Sequence, residues 1–386
     1  LGFDYASFGE WFGAFSRNWI NILRNNAGVG IIALGMTFVI ISGGIDLAVG
    51  STMVAIGAVI MSLIDSGSSG LLAGMGITGV PAYIIAIAVG ILLGVLLGEC
   101  TGVLVAHFGM PPFIATLGMM KICRSVTQQC MQKASPTVPK AFLKIANARI
   151  GGEIILPILY WLALAAILHV VSKHTAFGRQ VFAIGSNERT SKLSGVNVRA
   201  VKRRVYALMG ALVAITAVIQ IARIGSMDYA NAGSGYEMDA IAAVIIGGTS
   251  MSGGRGSVVG SVLGMLILAV MNNLLNLIGV PPFLREAFKG IIVIGAVAAF
   301  GSAVVVYYNT AETVSVIDCI FESCSAFGTV GLSVGVTGQL NTGAKLLYMA
   351  CMFMGRVGPV SLAISLTAKP DDNKRKVLPV GHINVG

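Results

Sequence analysis

The chain has 386 residues, of which 55% are hydrophobic and only 11% charged, and its formal net charge is +10. No water-soluble domain can solvate such a surface, so the composition points to an all-α, polytopic helical membrane protein. The cations lie in loops beside apolar runs and not in a basic stripe interleaved with aromatics, which excludes a nucleic-acid partner.

Residues 1–26 mix Trp11, Phe12, Phe15 and Trp19 with polar side chains and suit a helix lying at the membrane interface. Apolar runs then follow at 27–42, 49–65, 82–105, 112–130, 154–171, 205–224, 239–250, 257–278, 287–307 and 344–367. They predict about nine to ten transmembrane spans, with a short re-entrant or pore helix near the C-terminus. Between the first two runs, residues 42–51 read SGGIDLAVGS. A break of this kind at membrane depth is tolerated where the backbone is buried in protein or lines a cavity. Gly43, Gly44 and Asp46 are therefore candidates for a translocation path or gate. For Asp46 the alternative is a cap on the following helix.

Gly90, Gly94, Gly98 and Gly102 form one row at every fourth residue, and Gly256, Gly260 and Gly264 form another. Such rows clear a helix face for close backbone approach, with sliding of helices during transport as the alternative use. Residues 172–204 hold eight Lys or Arg against the single acid Glu188. So short and basic a loop belongs in the cytoplasm and orients the chain. The N-terminal stretch then falls outside, which predicts one more helix ahead of Leu1 if the protein begins in the cytoplasm. Loop 131–153 disagrees, being external by this count yet carrying Lys133, Lys140, Lys144 and Arg149. Within the basic loop, Ser186 or Asn187 caps a short helix that runs through Leu193 and is ended by Gly195. Residues 235–264 resemble the first break in character. Glu237 and Asp239 precede a short apolar run that Gly247, Gly248, Thr249 and Ser250 break, so the segment is a solute-facing break or gate, with helix capping as the alternative for the two acids.

The sequence contains no GxxxxGK[ST], HExxH or GxSxG, and its four histidines are scattered. The six cysteines have no ligand spacing and read as small apolar residues of helices. No catalytic residue, metal site or P-loop is expected in this chain.

Four ordered stretches carry a resemblance. They are GMTFVI at 35–40 with GGIDLAVGS at 43–51, PPFIATLGM at 111–119, FGRQVFAIGSNERTSKLSGVNVRAVK at 177–202, and GYEMDAIAAVIIGGTSMSGGRG at 235–256. Over about residues 18–297 the chain resembles the monosaccharide-type permeases of bacterial ABC importers, the ribose and galactose group. Ala48 stands where the family has Ser, Thr101 where it usually has Asn, and Ser125 where it usually has Gly. The resemblance implies a multi-pass protein of the bacterial cytoplasmic (inner) membrane. It implies a second permease copy, two cytoplasmic ABC ATPase subunits and an external sugar-binding protein. No cofactor is bound by the chain itself, and ATP with Mg²⁺ belongs to the ATPase partners. The coupling residues implied are Gly185, Ser186, Asn187, Glu188, Leu193, Ser194 and Gly195.

After about residue 300 the pattern changes. FESCSAFGTVGLS at 321–333 and MFMGRVGP at 352–359 resemble the last pore repeat of Trk/Ktr-type potassium transporters. Physically, a short helix ends in a glycine-containing turn whose carbonyls at Thr329, Val330, Gly331 and Leu332 can replace an ion's water shell. Arg356 lies within an apolar run and needs a partner or water. The expected division is an importer permease at 1–300 and a partial potassium-transporter repeat at 301–386, with potassium as a possible ligand of the latter. The two parts conflict in topology, because span 287–307 would run inward as the permease's last helix and outward as the leading helix of a pore repeat. Either the tail is misplaced, or the span count is off by one, or two unrelated genes are joined. The sequence favours an artificial or assembly-derived junction near 297–312, with a natural fusion second and a chimera without function as a further alternative.

Overall fold

The computed structural model describes residues 8–65, 70–131 and 136–277, and further on only individual positions between 279 and 352. The chain divides into two compact units, Leu1–Asn273 and Leu274–Gly386.

The first unit is helical. Its long elements are α1 (Phe8–Ile41), α2 (Val49–Ile64), α4 (Val80–Ala106), α5 (Pro112–Met131), α7 (Leu156–His174), α10 (Val198–Ile224), α11 (Tyr236–Ile246) and α12 (Val258–Leu277, which runs past the unit boundary). The short ones are α3 (Leu71–Gly74), α6 (Lys140–Asn147), α8 (Ala176–Ser186) and α9 (Glu188–Leu193). Eight of the ten predicted spans coincide with long helices, and of the spans at 287–307 and 344–367 only individual residues are described. Among the described residues, α1, α4, α7, α10 and α12 are long and apolar enough to cross a membrane. α2 and α11 are shorter, and α5 carries Lys121 and Arg124.

The all-α expectation holds, with one small addition, and one local expectation needs correction. Residues 8–26 do not form a separate interfacial helix but continue unbroken into the first span. Their polar groups find partners that keep the helix going. The Asn26 amide donates to the Ile22 carbonyl (2.8 Å), and Arg223 on α10 donates to the carbonyls of Arg24 and Asn25 (3.3 and 3.4 Å). The addition is a two-stranded hairpin, β1 (Arg149–Ile150) with β2 (Glu153–Ile154). Gly151 and Gly152, at φ 62° and 89°, form the two-residue turn that joins them.

α1 and α10 form the centre, with 78% and 72% of their apolar windows buried, against 22% for α4 and 28% for α7. α10 starts where the Asn197 side chain accepts the Ala200 N–H (3.1 Å) and ends at Gly225, whose φ of +80° closes the helix in the left-handed region. α4 lies along α10 through its glycine row. A Cβ at Gly94 would fall on the Gly210 carbonyl, one at Gly210 on the Gly94 carbonyl, and one at Gly98 on the Tyr206 carbonyl. The opposite face of α4 exposes Val80, Ile84, Leu92 and Leu96, as suits lipid. In hydrocarbon there is no hydrophobic drive between helices, so this backbone approach is what joins them. The packing reading of the glycine rows therefore holds. In the second row Gly260 and Gly264 lie against Gly247 and Ala243 of α11.

At the end of α10 away from the basic loop, α6 buries Phe142 and Ala146 and exposes Lys140 and Lys144. Asn147 donates from its amide to the Ala222 and Arg223 carbonyls (2.9 and 3.1 Å), satisfying the last turn of α10. The cations of loop 131–153 thus belong in part to a docked amphipathic helix, which is why the loop departs from a simple charge bias.

In the second unit, residues 318, 319, 321–323 and 325 are helical, as are 345, 346, 348 and 349. The Ser323 hydroxyl donates to the Tyr348 oxygen (3.2 Å), and Tyr348 donates to the Cys319 carbonyl (3.4 Å). Ser333 donates to Glu322 (2.6 Å). Thr329, Val330, Gly331, Leu332 and Arg356 lie outside the described residues.

Replacing Gly210 by Val forces a side chain into the α4 backbone and is expected to destabilise the protein by about 1–3 kcal/mol or more. The check is the unfolding midpoint of the purified protein in detergent. Gly109→Ala, at a loop glycine with open space around it, serves as the mild comparison.

Candidate functional site

Two helix breaks and the α8–α9 segment hold the predicted site residues. α1 ends in a tight cap: Gly43 N–H donates to the Ile40 carbonyl and Gly44 N–H to the Val39 carbonyl, both 2.9 Å, with Gly43 at φ +80°. Residues 44–48 then run without helix to α2. Asp46 is buried, 7% exposed, and its Oδ1 accepts the Ala48 N–H (2.9 Å). It sits two residues ahead of the α2 N-cap, Ala48, whose side chain caps nothing. Asp46 thus shapes the approach to the helix and is not the N-cap itself. Tyr206 of α10 donates to the neighbouring Ile45 carbonyl (3.4 Å) and fixes the break against the central helix.

The second break begins where Gly235, at φ +83°, starts α11 with Glu237 and Asp239 in its first turn, where carboxylates favour the helix dipole. The carboxylate of Glu237 approaches Gly50 at the head of α2. Arg124 of α5 lies beside this region, donating to the Tyr229 and Ala232 carbonyls (3.2 and 2.9 Å). In the loop it holds, Asp228 accepts from the Asn231 side chain and from the Ala230 and Asn231 N–H groups, which keeps its carboxyl below the usual range. Asp46, Thr52, Gly98, Thr101 and Gly210 border a cavity of about 10 Å³, room for one water at most.

The far end of α11 is a separate place. Gly247 and Gly248 close the helix, with Gly248 at φ +83°, and Thr249 is buried. Among the described residues the Thr249 hydroxyl has no hydrogen-bond partner, which is costly inside protein. The predicted gate residues therefore fall into two groups, Asp46 with Glu237 near one end of α11 and Gly247, Gly248 and Thr249 at the other.

The coupling segment also has two parts. α9 is a six-residue helix whose N-cap Asn187 accepts the Thr190 N–H (2.9 Å), and Gly195 at φ +83° follows its C-cap Ser194. The capping pattern read in the sequence is thus present. Residues 186–190 and 192–195 are exposed, and Leu193 is 83% exposed. Leu193 is thus an exposed apolar side chain at the end of a capped helix. Lys202 of α10 pairs with Glu188 (2.6 Å), and Arg203 pairs with Glu99 of α4, so α10 ties α9 and α4 together at the basic end. Gly185 and Ser186, by contrast, are the root of the segment. Their backbone meets Ile41 at the end of α1 and the α11–α12 loop at Gly253 and Gly254.

Sequence reasoning missed Ile41, Phe38, Tyr206, Arg124, Gly253 and Gly254 as members of this arrangement. Arg124 was signalled by its charge within an apolar helix. Gly253 and Gly254 stood inside a recognised stretch without an assigned role.

The profile of the family described as branched-chain amino acid transport system / permease component matches residues 18–297. The chain belongs to this permease family. The ribose import permease protein RbsC of Escherichia coli (strain K12) is 39% identical over 291 residues, covering 73% of this chain and 84% of the relative. That of Bacillus subtilis (strain 168) is 41% identical over 283 residues, 72% of this chain and 83% of the relative. The galactofuranose transporter permease protein YtfT of Escherichia coli (strain K12) is 35% identical over 278 residues, 71% of this chain and 77% of the relative. The profile of a second family, described as cation transport protein, matches residues 281–376, so the two matches share residues 281–297. No solved structure matches the chain. The permease is thus a multi-pass protein of the bacterial inner membrane, of a family that is not itself catalytic.

Thr249→Val removes the unpartnered hydroxyl while keeping the shape, and is expected to raise stability by about 1–3 kcal/mol. Thr37→Val breaks the buried bond from Thr37 to the Ser261 hydroxyl (2.7 Å) and is expected to lower it by about 1 kcal/mol. Thermal unfolding of the two purified variants checks the opposite signs.

Proposed function

We propose that this permease is the membrane subunit of an ATP-powered importer for a monosaccharide of the ribose class. The observation that carries the reading is the exposed, capped helix α9 with Leu193 at its tip, on a chain 39–41% identical to ribose import permeases. α9 and its flanks, residues 187–195, are the surface on which a cytoplasmic ATPase subunit docks. Two permease copies and an external sugar-binding protein complete the assembly. ATP with Mg²⁺ is held by the ATPase subunits.

Alternating access operates at the two helix breaks. Asp46 and Glu237 belong to one gating layer, and transport requires segment 44–48 and the head of α11 to separate. Gly43, Gly44, Gly247 and Gly248 supply the hinges, and Thr249 gains a hydrogen-bond partner when the inner end opens. Gly195→Arg places a bulky side chain at φ +83° beside α9. It is expected to abolish co-purification of the ATPase and to reduce ribose uptake about tenfold or more while leaving the permease in the membrane. Unchanged uptake and docking would refute the assignment of 187–195.

A second reading rests on the cation transport match at 281–376. In it, residues 301–386 form a partial pore repeat, with Thr329, Val330, Gly331 and Leu332 facing potassium and Arg356 paired within the apolar run. Four such repeats are needed for a pore, so this activity requires oligomers. Expression in cells lacking potassium uptake is expected to restore growth at low potassium, and Gly331→Ser is expected to abolish the rescue. Absence of rescue by the unaltered chain would count against it.

A further inference from the structure

Three segments far apart in sequence meet at one backbone junction. The Gly254 N–H donates to the Ile41 carbonyl (2.9 Å), the last carbonyl of α1 before the first break. Gly185, near the end of α8, lies so close that a Cβ there would fall on the same carbonyl. At Gly254 a Cβ would sit 2.8 Å from the Ser186 Cα, and at Gly253 one would sit 3.0 Å from both the Gly185 and Ile41 carbonyl oxygens. Gly253 and Gly254 also hold φ values of +84° and +73°, which other residues rarely adopt. One turn back, Phe177 of α8 stacks on Phe38 of α1, with centroids 6.1 Å apart and planes at 16°. The α11–α12 loop is closed on itself by Ser250 N–H to the Arg255 carbonyl and Gly253 N–H to the Ser250 carbonyl, both 3.0 Å.

The closest approaches at this junction are of backbone on backbone, which leaves little slack for displacement. Movement of the α8–α9 root has to displace the end of α1 and the α11–α12 loop together. The first carries the break at 43–48 and the second hangs from Gly247, Gly248 and Thr249. Sequence order gives these three pieces no such linkage.

We infer that the Gly254–Ile41–Gly185 junction is the element through which movement of α9 is transmitted to both helix breaks at once, with Gly185, Gly253, Gly254 and Phe177 as positioning residues. This rests on the reading of α9 as the ATPase contact. It adds that docking and transmission are separable, residing in the exposed head and the packed root of one segment.

The test uses the full chain with the ATPase subunit that co-purifies with it, reconstituted in vesicles, and ribose with its external binding protein as the probe. Gly254→Ala is compared with Gly109→Ala, which imposes a similar left-handed strain (φ +65°) where nothing is close. The expected result for Gly254→Ala is retained ATPase co-purification and basal hydrolysis, with sugar-stimulated hydrolysis and uptake reduced about tenfold. Gly109→Ala keeps both within about twofold. If Gly254→Ala does not reach the membrane, Phe177→Ala, which adds no atoms, decides by the same readouts. Wild-type uptake and stimulation in the deciding variant overturn the inference, as does loss of ATPase binding in proportion to uptake, since the junction would then only support α9. If Gly195→Arg loses docking while Gly254→Ala transports normally, the junction fails and the ATPase assignment stands. If Gly195→Arg also leaves docking intact, the assignment itself falls.

Discussion

The close approach of α4 and α10 is the constraint on which the remaining geometry rests. Lipid offers no hydrophobic reward for bringing two helices together, so contact depends on bare backbone meeting bare backbone. Gly94 and Gly210 exclude any side chain from one another's position, and Gly98 admits the Tyr206 carbonyl. With α10 held in this way, Tyr206 reaches Ile45, Arg203 reaches Glu99, and Lys202 reaches Glu188. The central helix thus fixes one helix break and the water-facing helix α9 from a single rigid support.

These attachments differ in strength in a way that suits a moving machine. The ion pair of Lys202 with the half-exposed Glu188 is worth at most about 1 kcal/mol in water. The glycine contacts of α4 and α10 cannot be lost without separating two membrane helices. Motion is therefore cheap at the α9 head and costly at α10, and displacement of α9 does not dismantle the bundle. The buried Thr249 hydroxyl, unpartnered among the described residues, slightly disfavours this arrangement relative to one in which it is satisfied.

Much of this was legible in the sequence, for reasons tied to particular residues. Apolar runs of the right length marked the helices, because a lipid-facing segment must bond its own backbone. Asn187 and Gly195 marked the ends of α9, because capping chemistry is local. The glycine rows announced close packing but not the partner, since nothing in the α4 sequence names Gly210. The continuous α1 was misread because Asn18, Arg24, Asn25 and Asn26 look interfacial in isolation. Their partners, Asn273 and Arg223 among them, lie mostly some 200 residues or more away. The grouping of Ile41, Gly185 and Gly254 was invisible for the same reason, as a contact between main-chain atoms leaves no side-chain signature beyond the glycines.

The bond from Gly254 to Ile41 has a consequence for synthesis. The final carbonyl of α1 is completed by an N–H that lies 213 positions later in the chain. At a translation rate of about 5–20 residues per second, that carbonyl waits roughly 10–40 s for its partner after α1 is made. During this interval the end of α1, the break at 43–48 and the root of α8 are assembled around an unfilled acceptor. A nascent chain stalled before residue 254 would therefore hold an incomplete junction, and only after the α11–α12 loop arrives is α12 made to pack on α11.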